Sequence, residues 1–311
     1  MKGSGARSKN SSRRTLSVTF DRESDNLFPV HADQHGACSH ETMDAASDQD
    51  QKAKYSGKTS VPATPRCTSP GYLERADQIL SYPNALNSEF LSTLISKEFF
   101  KRHFPDSRYE YEALMDAAHS YPKPRFGLPI DVARMKREIA AFLAHIDHAT
   151  NGLSNIDNDT PKIPHCKTSI EYPCVKGASY HPRGPMKMCW NYNYGQCGVA
   201  IGENLLKYPE RVAEDPIVAF KSALWFWCTE QWNKPSCHEV MLGLWEPTED
   251  DIAAQRLPGF GLTTNIINGG QECGQSSVEA DSRLRRYQKF CTAFSVEPGQ
   301  NLSTRNQTPF A

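Results

Sequence analysis

Three short stretches of this 311-residue sequence set flat rings beside amides and charges. The first runs from Tyr180–His181–Pro182–Arg183–Gly184–Pro185 into Met186–Lys187–Met188–Cys189–Trp190–Asn191–Tyr192–Asn193–Tyr194–Gly195. Trp, Tyr and Asn together suit a sugar, whose CH faces lie on rings and whose hydroxyls need donors and acceptors. They equally suit an aromatic packing cluster in which Asn side chains hold loops, and the residues alone leave both readings open. The second stretch is Thr264–Asn265–Ile266–Ile267–Asn268–Gly269–Gly270–Gln271–Glu272–Cys273–Gly274. Asn268 before two glycines predicts either a tight backbone that turns an amide toward a cleft or an ordinary turn. In the third, Trp232–Asn233–Lys234–Pro235–Ser236–Cys237–His238–Glu239, Lys234 and Pro235 precede a short helix.

His148, beside Asp147, closes the strongest helical pattern, where it either faces a groove or caps the last carbonyls. Neither residue has a serine or cysteine arrangement that would make a nucleophilic triad. GVAIGENL lacks the spacing and the lysine of a phosphate loop. CxxC pairs and CxxH partners are absent, so neither a metal nor a cofactor is expected.

These residues must be positioned by helices. Asn87 and Ser88 can cap a segment with Phe90, Leu91, Leu94 and Ile95 on one side. Residues 109–119 place Tyr111, Leu114, Met115 and Ala118 at helical spacing. The clearest helix is predicted over 131–147, where Val132, Met135, Ile139, Phe142, Leu143 and Ile146 step by three or four, with Arg134 and Glu138 on the wetter face. Residues 151–185 show little periodicity. Asp215 followed by Pro216 predicts a helix start, and IVAFKSALWFW behind it is apolar nearly all round, as in a buried central helix. A last helix is predicted over 278–291 with Val278, Leu284, Tyr287 and Cys291 inward. The expected fold is mainly α, with residues 1–80 a disordered or loosely attached leader too poor in Leu, Ile and Trp to offset its ordering entropy, and 81–311 one domain.

With 35 Lys+Arg against 36 Asp+Glu, net charge −1, a strongly basic nucleic-acid binder is excluded. No apolar run approaches the roughly 20 residues of a bilayer span, and the basic start MKGSGARSKNSSRRTLSVTF has no apolar stretch to make a signal peptide. The ten cysteines nonetheless lean toward an extracellular or secretory location. Cys166 and Cys174, with a short loop between them, suit a local disulfide. Spacing does not fix the pairing of Cys38, Cys67, Cys189, Cys197, Cys228, Cys237, Cys273 or Cys291.

Residues from about 86 onward carry YEYEALMDAAHSYPKPRFG, MKREIAAFLAHIDHATNG, PRGPMKMCWNYNYGQCGVAIG, DPIVAFKSALWFW, NKPSCHEV, LPGFGLTTNIINGGQECG and RNQTPF. In this order the strings resemble the catalytic domain of plant-type chitinases of glycoside hydrolase family 19. The resemblance implies a bilobal, lysozyme-like α-helical domain with long loops and a central cleft for chitin or another N-acetylglucosamine glycan, working as a monomer. Family members invert the anomeric centre, which needs a carboxylic acid and a carboxylate base about 6.5–9.5 Å apart. The family acid is the Glu of a His-Glu-Thr motif at the end of the helix matching 131–147. Here that motif reads His148, Ala149, Thr150, and alanine donates no proton. The family's second Glu lies in a segment cut here to LSNIDNDTPKIPH, residues 153–165, without a glutamate. Asp157, Asp159 and Glu171, with Asp147, are the remaining substitutes.

Further matches concern the cleft. Lys187 and Cys189 stand where the family usually has Gln and the Ser that orients the attacking water, and a thiol is a weaker hydrogen-bond partner. Tyr192, Asn193, Asn268 and Arg283 match residues that contact chitin or support the site. Glu272 matches a cleft-supporting acid that either meets sugar or pairs with Arg283. With His148 these form the expected substrate-binding set. Cys166 and Cys174 match a family disulfide, whereas the partner position of Cys273 is Thr304, leaving Cys273 unpaired or newly paired. His40–Glu41–Thr42 repeats the tripeptide by coincidence, with no helical pattern before it. The expectation is a hydrolytically inactive or severely impaired chitinase-like glycan binder. The alternatives are a weak inverting endochitinase with a relocated carboxylate and a structural or protein-binding role with a collapsed cleft.

Overall fold

The computed structural model describes residues 90–121, 126–127, 131–157 and 165–310. The leader, His40–Glu41–Thr42, the capping positions Asn87 and Ser88, and Asp159 lie outside the described residues. Within them, residues 90–94 are helical and are followed by α1 (Lys97–His103), α2 (Tyr111–Ser120), α3 (Val132–Thr150), α4 (Asn191–Ile201), α5 (Arg211–Glu214), α6 (Pro216–Cys228), α7 (Cys237–Leu242), α8 (Glu249–Ala253), α9 (Phe260–Glu272) and α10 (Val278–Ala293). β-structure among the described residues is limited to isolated bridges, Asp157 with Arg183, Arg183 with Met188, and Gln231 with Lys234. The fold is mainly α, as the periodicity predicts. No described helix is long and apolar enough to cross a membrane.

Two hydrophobic clusters explain the all-apolar helix. α6 starts as its sequence dictates, with Asp215 Oδ1 accepting from the amides of Ile217 and Val218 and Pro216 in the first turn. Ala219, Phe220, Ala223, Leu224 and Trp227 belong to the larger cluster, which also holds the buried faces of α2, α3, α7, α9 and α10. Val218 and Trp225 belong to a second, built with Tyr180, Met188, Tyr194, Cys197, Leu205, Leu206 and Val212. One helix therefore serves two cores, and a polar stripe on it would open one of them.

α3 is the spine of the larger core and packs chiefly on α10. Asp131 caps its first turn, and Met135, Ile139, Phe142, Leu143 and Ile146 are fully buried. The helix runs one turn beyond the predicted end at 147, because Asn151 adopts a left-handed conformation (φ 49°) and, with Gly152, donates to the Asp147 carbonyl. Val132 and Val278 differ from expectation. Each is the first helical residue and points outward, 48% and 75% exposed.

Glu138 departs most from its predicted place on the wetter face, being wholly buried. Its carboxylate accepts from Trp227 Nε1 (3.1 Å), from His238 Nδ1 and from the Gly127 amide (3.2 Å), which joins α3, α6, α7 and the segment before α3. Periodicity could not show this, because a buried carboxylate is tolerated only where partners from distant parts of the chain converge. Burial alone would lower the His238 pKa, but the Glu138 carboxylate and its hydrogen bond raise it above the ordinary value. A raised folded-state pKa contributes stability that is complete below the unfolded value of about 6.5 and fades as pH climbs through the folded value. Glu138→Ala is expected to cost about 3 kcal/mol in urea unfolding. The same substitution should remove the stability loss between neutral and mildly alkaline pH, which melting curves across that range would show.

Candidate functional site

The last turn of α3 is gripped by the polar face of α10. Arg283 donates from Nε to both oxygens of Glu272 (3.1 and 3.0 Å) and from Nη2 to Oε1 (3.0 Å). Its Nη1 lies 3.2 Å from His145 Nδ1. A guanidinium only donates, so His145 Nδ1 accepts and the ring proton sits on Nε2. That nitrogen donates to Thr263 Oγ1 at 2.9 Å, and Thr263 passes its own proton to the Phe260 carbonyl. Burial, then the Arg283 charge, holds the His145 pKa well below its usual value. His145 is therefore a neutral link between α9 and α10.

Asn268 completes the cluster. α9 is helical through most of the stretch predicted as a turn, but its backbone breaks at Asn268 (φ −148°, ψ 37°). The break lets Asn268 Nδ2 reach Glu272 Oε1 at 2.8 Å. Lys234, buried beside the break, donates from Nζ to the Ile266 carbonyl at 3.2 Å. Gly269 is needed here because a Cβ would lie 2.2 Å from Asn265 Oδ1. Glu272 and Arg283 are buried and take the ion-pair alternative of the two readings, leaving half-buried Asn268 as the outer member.

His148 and Ala149 follow on the same helix. Ser282 Oγ accepts from Arg286 Nη1 (2.6 Å) and is hydrogen-bonded with His148 Nδ1 at 3.2 Å. Burial, then Arg283 and Arg286, lowers the His148 pKa to about 3. His148 thus docks on α10 and does not cap carbonyls. Ala149 is half-buried one turn after His145, on the face that carries the Arg283 cluster.

The second group lies between 156 and 195. Arg183 and Met188 close a tight hairpin, with the Gly184 amide donating to the Ile156 carbonyl (2.8 Å) and Lys187 in a left-handed conformation (φ 52°). Burial lowers the half-buried Lys187 ammonium to about 8, against the pull of Asp157. The Cys189 thiol is pushed up to about 12 by burial and stays protonated, while its carbonyl accepts from Asn193 Nδ2 at 2.8 Å. Tyr192 stacks on Trp190, their centroids 6.2 Å apart and planes 9° apart. Of the first aromatic stretch, Asn191 to Gly195 form the first turns of α4. Asn193 and its neighbour Asn191 hold backbone, as in the packing alternative, and the Trp190–Tyr192 pair supplies the flat faces.

The carboxylates considered as substitutes that lie among the described residues each have a partner. Asp157 pairs with His181 Nε2 (2.7 Å) and Arg183 Nε (3.6 Å). Asp147 pairs with Arg286 at 3.4 Å, and the exposed Glu171 accepts from the neighbouring Tyr172 hydroxyl. Cys166 and Cys174 are disulfide-bonded with Cα atoms 6.1 Å apart, whereas Cys273 is a free, buried thiol. Residue-type reasoning missed His145, and it placed His181, Arg183 and Asn191 in the first aromatic stretch without giving them a role. His145 had a signal, its spacing of four from Ala149. The others are tied by contacts that no local pattern encodes.

Two predictions test this geometry. Glu272→Ala leaves Arg283 buried without its counter-charge and is expected to cost about 3 kcal/mol, more than a joint Glu272→Leu/Arg283→Met replacement, in urea unfolding. His148 has a depressed folded-state pKa, so its contribution is complete above the unfolded value of about 6.5 and is lost as pH falls toward 3. Melting temperature should therefore drop less steeply between pH 7 and 4 in His148→Asn than in the unsubstituted protein.

Comparison with known proteins places this arrangement. Residues 89–304 match the glycoside hydrolase family 19 model described as Chitinase class I. The chain is 46% identical over 217 residues to Endochitinase CH25 of Brassica napus, covering 65% of this chain and 67% of that one. It is 43% identical over 243 residues to Inactive chitinase-like protein 1 of Hevea brasiliensis, covering 71% and 77%. Among solved structures, the class IV chitinase of Zea mays superposes with a TM-score of 0.57 at 33% identity, covering 68% of this chain and 98% of that one. Chitinase C of Streptomyces griseus gives 0.58 at 33%, covering 68% and 97%. With the helical order and the family model agreeing over most of its length, the chain belongs to the class I chitinase family, glycoside hydrolase family 19.

Proposed function

We propose that this protein is a chitinase-like binder of β-1,4-linked N-acetylglucosamine glycans in which hydrolysis is lost or severely impaired. The observation that supports this reading is the end of α3: the motif resemblance sets Ala149 at the position of the family acid, and Asn268, Glu272, Arg283 and His145 form one bonded cluster that includes the preceding turn of that helix. General acid–base assistance contributes typically 10²–10⁴-fold, so its removal with an intact surround separates binding from turnover. A relocated carboxylate is disfavoured by the ion pairs of Asp157 and Asp147 and by the tyrosine contact of Glu171. One relative, from Hevea brasiliensis, is itself named an inactive chitinase-like protein.

In this reading Tyr192 and Trp190 offer a ring face, while Asn268, Asn193, Lys187, Cys189 and His148 border the ligand. Glu272 and Arg283 hold Asn268 in place. The protein acts as a monomer, residues 81–311 form the binding domain, and residues 1–80 are a leader outside it. The disulfide supports an extracellular or secretory location.

The test is calorimetric titration with chitohexaose beside a product assay run over days on the same sample. Binding that weakens about tenfold or more in Asn268→Ala, without released products, is expected. Products that vanish on replacing Asp157 or Glu171 would overturn the reading.

A further inference from the structure

Ser179 adds a third member to the pair of Asp157 and His181. His181 Nε2 lies 2.7 Å from Asp157 Oδ1, and its Nδ1 lies 2.9 Å from Ser179 Oγ. A carboxylate only accepts, so the ring proton sits on Nε2 and the Nδ1 lone pair faces the serine hydroxyl. In that tautomer an imidazole can take a proton from serine. The frame around the three is polar and fixed. Arg183 Nε lies 3.6 Å from Asp157 Oδ2, Arg183 Nη1 donates to the Ser179 carbonyl (2.7 Å), and the Tyr194 hydroxyl donates to the His181 carbonyl (2.8 Å). A tie between residues two apart would account for Ser179 and His181 alone. It does not account for a carboxylate 24 residues away on the other ring nitrogen.

The imidazole is buried, whereas Ser179 is half-buried and follows the exposed Gly177, where a Cβ would meet nothing within 4 Å. The Ser179 amide donates to no acceptor among the described residues. A nucleophile's own amide is one of the donors that stabilise the oxyanion of an attacked carbonyl. We propose that Ser179 is the nucleophile of a separate ester-hydrolysing site, with His181 as its base and Asp157 as the positioning residue. Ser179 Oγ bonds to the ester carbonyl carbon while its proton passes to His181 Nδ1. The bond to the alcohol oxygen then breaks, and the alcohol leaves with that proton. Water, deprotonated by the same nitrogen, bonds to the acyl carbon and frees Ser179 as the carboxylic acid departs. The open side toward Gly177 suits a short acyl group such as acetyl, since a long chain needs a buried apolar channel. This site is independent of the glycan-binding reading above.

Diisopropyl fluorophosphate labelling with peptide mass mapping, beside p-nitrophenyl acetate hydrolysis, tests the assignment. One adduct is expected on Ser179 in the folded protein and none there in urea, where the serine loses its base. Hydrolysis should fall about 100-fold or more in Ser179→Ala. Asp157→Asn no longer holds the required tautomer, so kcat should fall by a similar factor while KM stays within about twofold. A folded protein without an adduct on Ser179, or with one formed equally in urea, would overturn the site. Unchanged hydrolysis in Ser179→Ala, or unchanged kcat in Asp157→Asn, would overturn it as well.

Discussion

A carboxylate and a guanidinium buried against each other govern how the three site-bearing helices meet. Neither Glu272 nor Arg283 is stable alone in an apolar interior, where an unpaired ion costs several kcal/mol. α9 and α10 must therefore stay docked, and everything around the pair has to be compatible with its charge. His145 meets that demand by remaining neutral and accepting from Arg283, so its other nitrogen is free to serve Thr263 on α9. The rest of the α10 face reads the end of α3 residue by residue, Ser282 on His148 and Arg286 on Asp147. Position 149 is thus held at a fixed place, although its own side chain is a methyl group that contributes nothing to holding it.

The same logic operates at the far side of α3. Glu138 ties α6 and α7 to the spine through Trp227 and His238, and α6 in turn separates the two hydrophobic clusters. Movement of α6 would disturb both the core around α3 and the aromatic cluster beneath the Arg183–Met188 hairpin. The Arg283 cluster at the end of α3 and the aromatic cluster around Tyr194 therefore share one mechanical frame.

The sequence declares the helices well and their buried faces less well. Apolar spacing located α3, α6 and α10, and Asp215–Pro216 marked a helix start to the residue, because these signals are local. Glu138 was misplaced because a glutamate on a helix normally seeks water, and only converging donors reverse that preference. The turn expected at Asn268 became a kinked helix because Lys234, far away in sequence, supports a carbonyl beside the break. Val132 and Val278 escaped inward placement because a first-turn residue can face solvent whatever the period says. Positions 149 and 268 could be singled out from the sequence because a family motif is local. The roles of Asn191, His181 and Arg183 could not, because their partners are set by loop geometry.

Asn191 has a consequence for the disulfide. Its amide accepts from the Lys167 backbone amide (2.9 Å) and donates to the carbonyls of Lys167 (2.8 Å) and Tyr172 (2.7 Å). The Tyr172 ring also lies so close over Gly195 that a Cβ there would sit 2.2 Å from it. Closing so short a loop with a sulfur bridge stabilises by about 2.5 kcal/mol on the chain-entropy account, and three hydrogen bonds at about 1 kcal/mol each are of the same size. The loop from Cys166 to Cys174 is therefore fastened twice, once covalently and once by a single amide. Reduction of the sulfur bridge would thus remove one fastening of this loop and leave the Asn191 amide in place.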